Sequence, residues 1–199
     1  IASSYTSSGG DIKTVLKAVY QHSDFKNAAG KKLKRPGEDY VSVARTLNVL
    51  PNFSRVQKWK GMTKEFAYPA VVPDELKRMG HAPLSWPFPD GYPDVASSWV
   101  NANYQLLRWN VYGHFIQGNT WNQPSWDALL TSRETNLDRQ IDQVARVLLF
   151  TDLGSADRTS VRNAVSKVFG PNPDMNNYYR DVTGLIARLI FQLPVWSLR

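Results

Sequence analysis

The sequence predicts an all-α protein, on three observations. Apolar residues recur at helical spacing in six segments along the chain. Caps and breakers fall at the ends of these segments, as at Asp11, Pro36, Gly80 and Gly170-Pro171. No alternating run of convincing length marks a strand.

The first stripe is Ile12, Val15, Leu16, Val19 and Tyr20, with Ser8-Gly9-Gly10-Asp11 before it as a loop and an N-cap. Residues 28–35 are small and basic and read as an exposed connection. Pro36 opens a second helix, where Glu38 and Asp39 suit the positive end of the helix dipole. Its buried stripe is Tyr40, Val43, Ala44 and Leu47, and Pro51 stops it. Phe53, Val56 and Trp59 are spaced for a short helix. Residues 73–80 form another, ended by Gly80.

Residues 81–94 break the pattern. Pro83, Pro87, Pro89 and Pro93 forbid regular helix, and Trp86, Phe88 and Tyr92 lie between them. A long ordered loop held by ring packing is expected, and loops of this length are often functional. Next comes the helix at about 96–117, with Trp99, Ala102, Leu106, Trp109, Gly113 and Ile116 on one face. A Trp- and Asn-rich loop (Asn119, Trp121, Asn122, Trp126) covers 118–127. Three helices follow. Leu137, Ile141, Val144 and Leu148 mark one. Val161, Ala164, Val165 and Val168 mark another, capped by Ser155 and closed by Gly170-Pro171. Val182, Leu185, Ile186, Leu189 and Ile190 mark the last. One contiguous helical domain over 1–199 is the expected organisation.

The chain has 199 residues and a formal charge of 24 − 17 = +7. Residues 1–80 hold 14 Lys+Arg and 7 Asp+Glu, whereas residues 81–199 hold 10 and 10, so the excess lies in the first part. A uniformly basic nucleic-acid coat is therefore not expected. The absence of cysteine excludes disulfides, thiolate metal sites and cysteine nucleophiles. No apolar run of about 18 residues is present, so no membrane span is expected. Ile1-Ala2-Ser3-Ser4 has no basic region followed by an apolar one. No signal peptide is expected there, and a first residue other than Met points to a processed or trimmed chain.

Chemistry-bearing residues concentrate around the Pro-rich loop. Pro89-Asp90-Gly91 is turn chemistry, and Asp94 can cap the next helix. Alternatively, Asp90 and Asp94 present paired carboxylates beside Trp86 and Tyr92. The histidines His22, His81 and His114 have no zinc spacing, so no metal or cofactor is expected. His114 reads as a hydrogen-bonded structural histidine and His81 as the functional candidate. Serine-hydrolase and phosphate-loop signatures are absent. Lys26, Lys31, Lys32, Lys34 and Arg35 form either a solvated loop or a patch for an anionic polymer. The loop rings offer a sugar-stacking or peptide-docking surface, or simply plug the bundle. Asn52-Phe53-Ser54 is a formal glycosylation sequon.

Three runs together carry a resemblance. They are Lys34-Arg35-Pro36-Gly37-Glu38-Asp39-Tyr40 through Arg45, Met79-Gly80-His81 through Pro93-Asp94, and Trp99-Val100-Asn101 with Leu106-Leu107-Arg108-Trp109-Asn110. In order and spacing they resemble the bacterial family known as domain of unknown function 1800 (DUF1800), over about residues 10–117 and more loosely beyond. The tail Leu189–Pro194 departs from the family's usual ending. The resemblance implies a helical, exported and so extracytoplasmic protein, of which this chain is similar to the C-terminal half. It carries no established activity.

Three functions follow as expectations. The first is a non-catalytic module binding another polypeptide, either the N-terminal half of the same precursor or a separate protein, or an extracellular polymer such as a polysaccharide. Its binding residues would be Trp86, Tyr92 and Trp99. The second is an enzyme half-site using His81, Asp90, Asp94 and Arg108. The third is anionic-polymer binding through Lys31, Lys32, Lys34 and Arg35 in residues 26–35.

Overall fold

Cap chemistry sets most helix boundaries in the computed structural model, which describes residues 1–50, 71–118 and 122–198. The expected helix at Phe53, Val56 and Trp59, the sequon, Pro51, Asn119 and Trp121 lie outside the described residues. Within them the protein is all-α, with helices α1 (Ala2–Ser7), α2 (Ile12–Gln21), α3 (Ser23–Lys26), α4 (Pro36–Thr46), α5 (Val71–Arg78), α6 (Ala102–Gln117), α7 (Trp126–Leu129), α8 (Leu137–Leu149), α9 (Ser155–Phe169), α10 (Met175–Gln192) and α11 (Pro194–Ser197). Among the described residues there is no strand, only an isolated bridge between Leu33 and Leu198.

The chain forms two compact units. The first is Ile1–Leu33 with the C-terminal end of the chain. Asp11 starts α2 as expected, its carboxylate accepting the Thr14 N–H at 2.9 Å. No residue of α1, α2 or α3 is buried. Of the α2 stripe, Val15 and Val19 are half-buried, while Ile12 is 73%, Leu16 47% and Tyr20 57% exposed.

The second unit, Lys34–Ser197, holds the core. Helix α10 packs on α6, α8 and α9, while α4 packs on α6. Tyr40 and Val43 of α4 with its C-cap Leu47, all four expected residues of α8, and Val182, Ile186 and Ile190 of α10 are buried there. Helix α4 ends before Pro51 is reached. Asn48 takes a left-handed φ of 49°, and the N–H groups of Asn48 and Val49 donate back to Arg45 and Ala44. This double bond pattern satisfies the last carbonyls of the helix. Gly80 closes α5 the same way, at φ 71°.

Three expectations need correction. The helix expected at 96–117 begins at Ala102. Ala96–Ser98 makes one 3₁₀ turn, and Asn101, not Asp94, is the N-cap, its side chain accepting the Tyr104 N–H at 2.9 Å. The buried residues of α6 are Arg108, Val111, Tyr112, Gly113 and Phe115, so of the expected face within the helix Gly113 is buried, while Leu106 is 55% exposed. The face is turned by about one residue, or roughly 100°, because a buried Arg disguises it as polar. Ser155 is the first residue of α9, and Gly154 is its N-cap.

Candidate functional site

The first turn of α4 is the meeting point of the motif residues. Four helix-start N–H groups need partners. Glu38 reaches back to accept the Arg35 N–H at 2.9 Å and holds the Arg35 guanidinium at 2.8 and 3.1 Å. The Gly37 N–H donates to His81 Nδ1 at 2.9 Å. This bond needs an unprotonated Nδ1, and burial lowers the His81 pKa from its ordinary value, with Arg35 adding to the effect. A Cβ at Gly37 would lie 2.7 Å from that nitrogen, so glycine is required by the close approach.

One turn deeper, Asp39 is buried. Its carboxylate accepts from the Tyr112 hydroxyl and, at 2.7 Å, from Trp196 Nε1. Arg108, also buried, places Nη1 3.8 Å from the same carboxylate and donates from Nη2 to the Lys34 carbonyl at 3.0 Å. Arg108 Nε and Nη1 make no hydrogen bond among the described residues. Burial pushes the Asp39 carboxyl up, against the pull of Tyr112, Arg108 and Trp196. Burial and the neighbouring Asp39 push the Tyr112 phenol far up. Lys34 Nζ donates to the Trp196 carbonyl at 2.7 Å and lies 3.6 Å from the centre of the Trp196 ring. The last turn of the chain is thereby clamped onto α4.

The Pro-rich loop is held as its composition requires. The His81 ring meets Tyr92 edge-on at 4.6 Å and Trp99 at 5.2 Å, and Trp86 meets Tyr92 at 4.9 Å. Tyr92 donates to the Ala82 carbonyl, Trp99 to the Pro93 carbonyl and Trp86 to the Asp90 carboxylate at 3.1 Å. Asp90 and Asp94 both face solvent. His81, Tyr92 and Trp99 are therefore brought together with α4, and Arg108 lies one layer below. Lys31 and Lys32 are exposed, whereas Lys34 and Arg35 are half-buried in the bonds just described, so the basic connection is not uniformly exposed.

Sequence reasoning missed Asp39, Tyr112 and Trp196 as one cluster. Asp39 had a signal, because it lies four residues before Val43 on the buried face of α4. Trp196 had none, since its partner is 157 residues away. His114 pairs through Nδ1 with Glu75 at 2.9 Å, and Glu75 also accepts from Tyr40 at 2.7 Å. No group of three or more His, Asp or Glu that could hold a metal ion occurs among the described residues. No described helix is long and apolar enough to cross a membrane.

The fold and this cluster define a helical domain whose three motifs knit one helix start to the end of the chain. The chain belongs to the family described as Protein of unknown function (DUF1800), whose family model matches residues 1–198 and so runs through the tail. No curated protein and no solved structure matches the chain.

Proposed function

We propose that this chain is a non-catalytic helical module of an exported protein, docking a partner polypeptide on the apolar face of α2. One observation carries the reading: α1, α2 and α3 bury none of their residues, and Ile12, Leu16 and Tyr20 form an exposed stripe at i, i+4 and i+8. Exposed apolar stripes on amphipathic helices serve as docking faces. Residues 1–33 carry five lysines and two aspartates, and Lys13 and Lys17 flank the stripe. The partner that fits is a helix with an apolar strip edged by acidic residues. The Pro-rich loop then acts as scaffold. The His81 acceptor is used by α4, and Arg108 is buried against Asp39 and Lys34. The extracytoplasmic placement in this proposal rests on the family resemblance.

A synthetic amphipathic peptide with a leucine strip and glutamate flanks tests the docking by fluorescence polarisation. Binding that weakens with salt and is lost in Leu16→Asp is expected. No binding, or binding unchanged by Leu16→Asp, overturns the proposal.

A further inference from the structure

Two clefts meet over the C-terminal half of α6. One, of about 430 Å³, is lined by Ile116, Pro124, Phe169 and Leu185 on its apolar side. The other, of about 300 Å³, carries Glu75, Arg78, Asn110 and His114. Gly113, Gln117 and Arg188 line both. Gly113 forms the floor where they join, because it has no side chain, and the Arg188 guanidinium lies over it. A Cβ at Gly113 would stand 3.5 Å from Arg188 Cζ.

Arg188 differs from the other shielded arginines. Arg35, Arg108, Arg158 and Arg162 each hold a carboxylate or a backbone carbonyl. Arg188 is half-buried like Arg35, Arg158 and Arg162, yet the described residues offer it neither. Half-buried and lining both clefts, its guanidinium is open to a ligand there, and its five-donor fork matches an oxyanion in two-pronged fashion.

We propose that the joined clefts bind a small organic carboxylate with an apolar body, its carboxylate on Arg188 and its body in the larger lobe. The apolar lining supplies the contact surface and the volume is that of small-molecule sites. The charge of the lining selects the head group. Arg78, Arg180 and Arg188 stand against Glu75 and Asp181, a net +1, which suits a monoanion better than a phosphate dianion. This site is independent of the α2 docking face.

The test is calorimetric titration with 4-phenylbutyrate, its neutral analogue 4-phenylbutanol, and inorganic phosphate. The carboxylate binds at least about tenfold more tightly than the alcohol, and phosphate does not bind measurably. Arg188→Gln weakens the carboxylate at least about tenfold while leaving the thermal midpoint unchanged, because no protein partner is lost. Arg188→Lys falls between, having the charge without the fork. Absence of 4-phenylbutyrate binding, equal affinity for the alcohol, or unchanged affinity in Arg188→Gln overturns the proposal. So does a lowered midpoint in Arg188→Gln, which would reveal a structural partner for the guanidinium.

Discussion

Helices α2 and α4 have nearly the same length, ten and eleven residues, and each carries one apolar stripe. Along α4 the stripe is sealed: Tyr40, Val43 and Leu47 are buried, and the acid beside them, Asp39, is buried too. Along α2 the same kind of stripe is left largely open: none of it is buried, and Ile12, Leu16 and Tyr20 lie in water. Periodicity reports that a face is apolar. What covers that face is decided elsewhere in the chain, and for α4 much of the cover comes from α6 and from Trp196.

The contrast can be broken most forcefully at Asp39. Asp39→Ala strands the buried Arg108 guanidinium and leaves the Tyr112 hydroxyl and the Trp196 N–H without their acceptor. The expected loss is about 3–5 kcal/mol in urea unfolding. A loss below about 1 kcal/mol would mean that the cluster does not hold α4 to the chain end.

Gly37→Ala comes next. Alanine in place of a helical glycine normally stabilises by up to about 1 kcal/mol. Here the new methyl presses on His81 Nδ1, and the ring cannot yield because Tyr92 and Trp99 flank it. A net loss of about 1–3 kcal/mol is expected from the thermal midpoint. A gain would show that the ring moves freely.

His81→Phe keeps the ring and removes the acceptor, at a cost of about 1 kcal/mol at neutral pH. Its pH dependence is more diagnostic. The folded chain holds His81 below its ordinary pKa of 6.5. Above that pH both folded and unfolded chains keep it neutral, and its contribution is whole. As pH falls, the unfolded chain takes up a proton that the folded chain resists, so stability declines. Wild type should therefore lose more stability than His81→Phe between about pH 7 and pH 5. Parallel curves would count against the Gly37 bond.

The smallest effect is expected on α2. Leu16→Asp should change the stability of the Lys34–Ser197 unit by no more than about 0.5 kcal/mol, as for a surface site. A buried leucine lost in the same way costs about 2–5 kcal/mol. A large loss at Leu16 would mean that the α2 stripe is covered after all.

Much of the helical frame was legible because its signals are local. Asp11, Pro36, Gly80 and Gly170 each act through bonds or backbone angles within a few residues, and all four mark real helix ends. The Pro-rich loop was legible for a similar reason, since its prolines exclude helix and its rings lie close in sequence. The face of α6 was not. A hydrophobicity pattern counts Arg108 as surface, and its hydrogen bond to the Lys34 carbonyl and ion pair with Asp39 are what offset its burial. The site was legible in part: His81, Tyr92, Trp99 and Arg108 do converge, but on a helix start. Asp94 as a cap lost to Asn101, which stands directly before the helix it serves.

The bond between Asp39 and Trp196 also has a meaning in time. A ribosome adds about 5–20 residues each second, so the 157 positions between them take about 8–30 s to make. Throughout that interval α4 exists without its closing tryptophan, and Asp39 keeps its water. The nascent chain therefore cannot fold this unit in order from its beginning. Helix α6 is made early enough to cover α4, but the closing bond waits for residues made last, and closing so wide a loop is entropically slow.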